Sequence, residues 1–229
     1  QMQYWNGTAW TSITPVGQDG DILTMVNGVP KWSPFLLGIS IGTKIWSSQN
    51  LSVTTYRNGD PIPQVTDPTT WASLTTGAWC WYNNDSATYA ATYGRLYNWY
   101  AVNDPRGLAP SCWHVATDAE WNKMTNYLDA SVDTTCFCWS GTTIGGQLKS
   151  TTLWNSPNTG ATNSSGFTGL PGGLRKEKFR YIGIDGIWWS STGASTNLAW
   201  SHGIQYSDDS ENEHDEYKIQ GFSVRCVKD

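Results

Sequence analysis

Two stretches near the carboxyl end alternate with a period of two, and the first ten residues of the segment between them carry no apolar side chain. Over 198–206 the even positions are Leu, Trp, His, Ile and Tyr, and the odd ones Ala, Ser, Gly and Gln. Phe222, Val224 and Cys226 alternate likewise with Ser223 and Arg225. That spacing predicts strands with one buried face. The run at 207–216, Ser-Asp-Asp-Ser-Glu-Asn-Glu-His-Asp-Glu, offers nothing to a core and is expected on a solvated surface. A polar segment held between aromatic-rich strands is the geometry of a recognition site on a rigid scaffold.

The rest of the chain fits such a scaffold. Fifteen tryptophans in 229 residues exceed what core filling needs, while charged residues reach only 14%. Large aromatic side chains carry much area on few rotatable bonds, which suits loop-rich cores and binding surfaces. Twenty-three glycines point to abundant loop, and the aromatic content argues against disorder. A net charge of −5 leaves no basic patch for phosphates, so nucleic acid is not an expected partner. The one basic cluster, at 175–180, is short and interrupted by Glu177 and Phe179, a solvated turn by this reading. No apolar run approaches about 18 residues, so no membrane insertion is expected.

In chain order, residues 1–35 form a β-hairpin-rich segment. Asn6-Gly7 between Trp5 and Trp10, Asp19-Gly20, and Asn27-Gly28 between Val26 and Val29 are hairpin turns. About 30 residues cannot bury their own apolar surface, so this piece is expected to pack on the main domain or on copies of itself. Its Trp/Gly-rich composition resembles the linkers before phage tail-fibre tips, which implies a homotrimer. The main domain spans 36–229. Residues 38–46 read as its first strand, Asn58-Gly59 as a turn, and Asp67-Pro68 as the start of a short helix. Tyr93, Leu96, Tyr97 and Tyr100 make a helical stripe within 87–102, stopped by Asn103-Asp104-Pro105. Thr117-Asp118-Ala119-Glu120 is a capping box, with Trp121, Met124, Tyr127 and Leu128 as the buried face that follows.

Six motifs in one order, Trp113-His114-Val115-Ala116-Thr117-Asp118-Ala119-Glu120-Trp121, Leu148-Lys149-Ser150-Thr151-Thr152-Leu153-Trp154-Asn155, Gly166-Phe167, Leu170-Pro171-Gly172-Gly173, Trp188-Trp189-Ser190-Ser191-Thr192 and Gly221-Phe222-Ser223-Val224-Arg225-Cys226, resemble the Fibrobacter succinogenes major paralogous domain. That domain is similar to the formylglycine-generating enzyme superfamily. The resemblance implies an α+β chain with a C-type-lectin-like fold: two helices on small twisted antiparallel sheets, much irregular loop, and terminal strands side by side. Some members are variable proteins of diversity-generating retroelements, in which chosen codons near the C-terminus are rewritten. Carried onto this chain, Ser201, His202, Gly203, Gln205, Ser207, Asp208, Asp209, Glu211, Glu213, His214, Asp215 and Glu216 would be the variable set. Trp200, Ile204, Tyr206, Lys218 and Gly221 would be its frame. The glutamates depart from the commonest Asn, Tyr and Ser outcomes.

Chemistry other than recognition finds little support. The related enzymes use a cysteine pair near the C-terminal region, where this chain has Cys226 alone, on the apolar side of a strand. Cys136-Phe137-Cys138 is too tight for a zinc knuckle. A disulfide among Cys80, Cys112 and either of that pair, or free buried thiols, both remain open. His114 reads as a hydrogen-bonding core residue rather than a base. The acidic run offers oxygen ligands suited to Ca²⁺ but lacks a spaced Asp/Asn–Gly loop, and reads as a solvated face. No cofactor and no metal are expected.

The expectation is therefore a non-enzymatic module that binds a host cell-surface receptor, protein or glycan. It would sit at a phage tail-fibre tip or on a surface adhesin, on a virion or outside a cell. The ligand-binding residues would be Ser195, Asn197, Trp200, Ser201, His202, Gln205, Ser207, Asp208, Asp209, Glu211, Glu213, His214, Asp215, Glu216 and Tyr217. A bacterial surface scaffold with no diversified site is the alternative. If the acidic run is solvated, replacing Asp208, Asp209, Glu211 and Glu213 together by Ser leaves the melting temperature nearly unchanged.

Overall fold

The polar run does not loop into solvent: most of it is a strand inside the largest sheet. The computed structural model describes residues 3–12, 21–26, 29–34 and 36–229. At the amino end, β1 (Gln3–Trp5) and β2 (Trp10–Ser12) form the expected hairpin. Its turn is held by Asn6 Oδ1, which accepts from the Thr8 and Ala9 amides at 2.9 and 2.8 Å. Trp5 and Trp10 meet edge to face across it, both exposed. A second hairpin joins β3 (Asp21–Val26) to β4 (Val29–Pro34). The turn residues 19–20 and 27–28 lie outside the described residues.

Residues 38–46 are not one strand but a hairpin, β5 (Gly38–Ile41) and β6 (Lys44–Ser47). Gly42, at φ +61°, supplies the reversal that alternation alone could not reveal. Helix α1 (Pro68–Ala72) is capped by Asp67 as the sequence predicts. After β7 (Trp79–Cys80), the stretch read as one helix breaks into three pieces: α2 (Ser86–Tyr93), β8 (Leu96–Tyr97) and α3 (Trp99–Val102). Gly94 ends the first at φ +72°. Asn98 starts the last, its Oδ1 accepting from the amides of Ala101 and Ala78, so a side chain outcompetes helix continuation.

Then come β9 (Trp113–Val115) and α4 (Asp118–Leu128), whose capping box forms in both directions. Trp121 and Met124 are buried as expected, but Tyr127 is exposed. The remaining elements are β10 (Trp139–Ser140), α5 (Ile144–Leu148), β11 (Gly172–Arg175), β12 (Phe179–Ile182), β13 (Asp185–Gly193), β14 (Leu198–Gln205), β15 (Glu211–Tyr217), β16 (Ser223–Val224) and β17 (Cys226–Lys228).

Two sheets organise the domain. The larger runs β10-β15-β14-β13-β16, antiparallel except for the β13–β16 pair. The other, β5-β6-β17-β9, brings the domain's two ends together through the Val227–Trp46 pairing. The class is α+β with small, mostly antiparallel sheets. The cysteines settle as a Cys136–Cys138 disulfide, with Cys80, Cys112 and Cys226 as free thiols.

Several tryptophans serve backbone carbonyls as well as the core. Trp71, Trp79, Trp99, Trp154 and Trp189 each donate Nε1–H to a backbone carbonyl, while the rings fill the core. Trp188 instead donates to Asn50 Oδ1 at 2.8 Å. That oxygen also accepts from Arg225 Nε at 2.9 Å, and Asn50 Nδ2 donates to Tyr93 O and Ser223 Oγ. Arg225, expected to face outward, is fully buried; it also donates to Ser47 O and Thr168 O and lies over the Phe167 ring. Asn50→Ala strands two buried donors and should lower the unfolding free energy by about 2–4 kcal/mol. A fall in the urea midpoint at constant m-value checks this.

Candidate functional site

Register decides which residues share a face. Across β10, β15, β14 and β13, Trp139 pairs with Asn212, Asn212 with Gly203, and Gly203 with Ile187. The next row is His214, Ser201 and Trp189, and beyond it Glu216 opposite Ala199. Directly opposed residues point the same way, so these rows form one face. Near Ile187 and Gly203 that face is open. It holds a hollow of about 260 Å³ lined by Ile187, Ser201, Gly203, Asn212, His214 and Glu216. The Trp139 indole, 44% exposed, stands beside Asn212 at the sheet's edge.

The walls are held in place to different degrees. His214 Nδ1 lies 2.6 Å from Asp215 O, and Ser201 Oγ donates to His214 O at 3.0 Å. Glu216 accepts from Gln220 Nε2 at 2.5 Å and lies 3.6 Å from Lys176 Nζ. Gln205 donates to Asp185 Oδ1, whose carboxyl is raised by burial. Asn212 makes no side-chain hydrogen bond among the described residues, leaving its amide free.

The reverse face is the opposite in character. There His202 stacks on Trp121 of α4 with ring centroids 5.0 Å apart. Its Nε2 lies 3.1 Å from Asp118 Oδ1, and its Nδ1 3.3 Å from Glu211 Oε2. His202, Glu211 and Glu213 are 1, 3 and 4% exposed, which overturns the solvated reading of the two glutamates and the place of His202 among exposed ligand-binding residues. The physical reason is charge compensation: the two carboxylates flanking the imidazole keep it cationic, so a charged glutamate is tolerated in a buried position. Burial alone would lower the His202 pKa, but Glu211 and Asp118 outweigh it and push it up to about 9. Burial pushes Glu213 up to about 7.

The other predicted residues scatter. Asp209 is only partly exposed and packs against Gly146 and Gly160, while Ser207 and Asp208 are exposed in the β14–β15 turn. A buried ammonium fastens that turn: Lys149 Nζ donates to Gln205 O, Asp208 O and Thr159 O at 3.1, 2.5 and 2.6 Å. Ser195 and Asn197 lie in the β13–β14 turn, where Lys218 donates to Ser195 O while resting over Trp99. Trp200 stacks on Phe137 at 4.6 Å. Asp215 shares the reverse side, and Tyr217 is exposed at the end of β15. The face therefore gathers Ser201, Gln205, His214 and Glu216. It adds Trp139, Asp185, Ile187 and Asn212, which the sequence reading left out although strand parity with His214 marks Asn212.

Elsewhere, His114 bridges Asp229 and Glu120, a partly exposed terminus-to-helix tie. Burial raises the Cys226 thiol to about 12, far from nucleophilic. Among the described residues no group of His, Cys, Asp or Glu is arranged to hold a metal ion.

Fold and face together define an α+β domain with one open sheet face over a charged, helix-covered reverse. The chain belongs to the Fibrobacter succinogenes major domain family, whose model matches residues 39–228. Comparison with curated proteins and with solved structures gives no match.

Two outcomes follow from the buried cluster. The Ser quadruple variant at 208, 209, 211 and 213 should lose most of its stability, because Glu211→Ser strips a partner from a buried cation. The folded pKa values of His202 and Glu213 lie above the ordinary 6.5 and 4.5, so folding favours their protonated forms. Their contribution is full below about pH 4.5 and fades as pH rises through 7 and then 9. The melting temperature should therefore fall from pH 5.5 to 9.5. Glu213→Gln should match the parent near pH 4.5 and exceed it at pH 8; a parent curve flat over that range refutes the assignment.

Proposed function

We propose that this chain is a non-enzymatic recognition module whose ligand sits on the open face of the large sheet. The observation that carries the reading is the contrast between the two sides of β14 and β15. One side locks the strands to α4 through buried charge, and the other offers an open hollow whose Asn212 and His214 side chains are free of the core. A stiff strand pair with a dispensable outer surface is what binding by side-chain exchange requires.

On this proposal the fold is a C-type-lectin-like variant related to the formylglycine-generating enzymes. The site is the receptor-binding face of a phage tail-fibre tip or surface adhesin, displayed on a virion or outside a cell. A retroelement, if it diversifies this locus, acts on the outward positions: Gly203, Gln205, Asn212, His214 and Glu216. Glu211, Glu213 and His202 leave the variable set, since their side chains are committed inward. The exposed Trp5–Trp10 hairpin supports copies assembling as a trimer.

The test uses the whole chain fused to a fluorescent protein and a panel of intact bacterial strains. The parent should label at least one strain. Asn212→Ala/His214→Ala should lose that labelling by tenfold or more while its melting temperature stays within about 2 °C, as surface changes do. Labelling of no strain would favour the surface-scaffold alternative. Sedimentation of the chain with and without residues 1–35 checks the trimer.

A further inference from the structure

Gly203 stands in the middle of β14, where a glycine costs backbone entropy and contributes no packing. Several other glycines have internal reasons. A Cβ on Gly186, in the adjoining strand, would come within 2.6 Å of Leu170 O, and Gly173 and Gly183 have positive φ. Gly203 has neither reason. Its φ is not positive, and a Cβ there would meet nothing closer than Ile187 Cγ1 at 3.6 Å, an ordinary contact. The space above it is the floor of the hollow. Nothing in the protein itself demands that this space be empty.

We propose, building on the recognition reading above, that the hollow over Gly203 takes a single pyranose ring of a neutral glycan. Its volume of about 260 Å³ falls below the roughly 300–1,000 Å³ of clefts that hold drug-sized ligands, so it suits one ring. Ile187 and the bare Gly203 backbone give an apolar floor for the ring's C–H face, and the Trp139 indole stands in the same row. The Asn212 amide offers a donor and an acceptor to vicinal hydroxyls, and His214 Nε2 one more group. No Lys or Arg lines the hollow to receive an anion. The Glu216 carboxylate already takes Gln220 and Lys176, which leaves little charge for a cationic side chain.

Saturation-transfer NMR on the whole chain with methyl glucoside, mannoside and galactoside and with N-acetylglucosamine tests this directly. At least one should receive saturation at millimolar concentration. Gly203→Val, which fills the floor with a strand-favouring side chain, should abolish the transfer and leave the melting temperature equal or higher. Asn212→Ala should weaken it at least fivefold. Transfer to none of the sugars, transfer unchanged in both variants, or unfolding of Gly203→Val each overturns the proposal. On the labelled bacterial strain, periodate oxidation of the cells should remove binding and protease treatment should spare it. The reverse result rejects the glycan and leaves the recognition face standing; a chain that labels no strain removes both.

Discussion

The Asn50 side chain ties together parts of the chain that lie far apart in sequence. Its two heteroatoms engage Trp188 of β13, Arg225 between β16 and β17, Ser223 of β16 and the last residue of α2. An amide can serve all four because it presents acceptor lone pairs on one side and two donors on the other. The buried Arg225 charge is tolerable only in that company, with Ser47 and Thr168 carbonyls completing its shell and Phe167 beneath it. In a domain of short helices and small sheets, such polar ties replace the long ladders that fix larger sheets.

That frame lets one sheet live in two environments. The β14–β15 pair has its inner side against α4, where the carboxylates of Asp118 and Glu211 flank one imidazole and a third buried carboxyl group, that of Glu213, adds to the cluster. The cluster is electrostatically expensive and sits where aliphatic residues would stabilise more simply. What it supplies is specificity of register: a slip of one residue would put Glu213 outside and His214 against Trp121. Lys149 does the same for the turn, since one ammonium must find three carbonyls from two segments before the β14–β15 connection can close.

Much of the scaffold was legible from residue types with local mechanisms. The Thr117–Glu120 capping box, the Asp67 cap and the Asn-Gly turn at Asn6 act within a few residues, and all three form. The helix over 87–102 was misread because the Tyr93 to Tyr100 stripe has helical spacing, while Gly94 and the bonds Asn98 makes to Ala78 decide otherwise from a distance. The large sheet was half legible. Strand β14 followed from alternation; which side of β15 is buried did not, because 211–217 contains only polar letters and Tyr and so carries no hydrophobic period. Burial of a charged strand depends on partners such as Asp118, remote in sequence, that no local pattern shows.

The same geometry limits what can vary. Side chains in β15 alternate strictly, so Asn212, His214 and Glu216 face the hollow while Glu211 and Glu213 face the buried imidazole. A substitution at an outward position meets solvent and changes what the face can hold. A substitution at an inward one removes a countercharge from His202 or adds volume against Trp121. Any process that rewrites this strand and leaves a folded protein is thus confined to every second residue, three positions on β15 and, of their partners on β14, Gly203, since Ser201 and Ala199 are buried. The open surface of this sheet is set by its pleat before it is set by the chemistry of any residue on it.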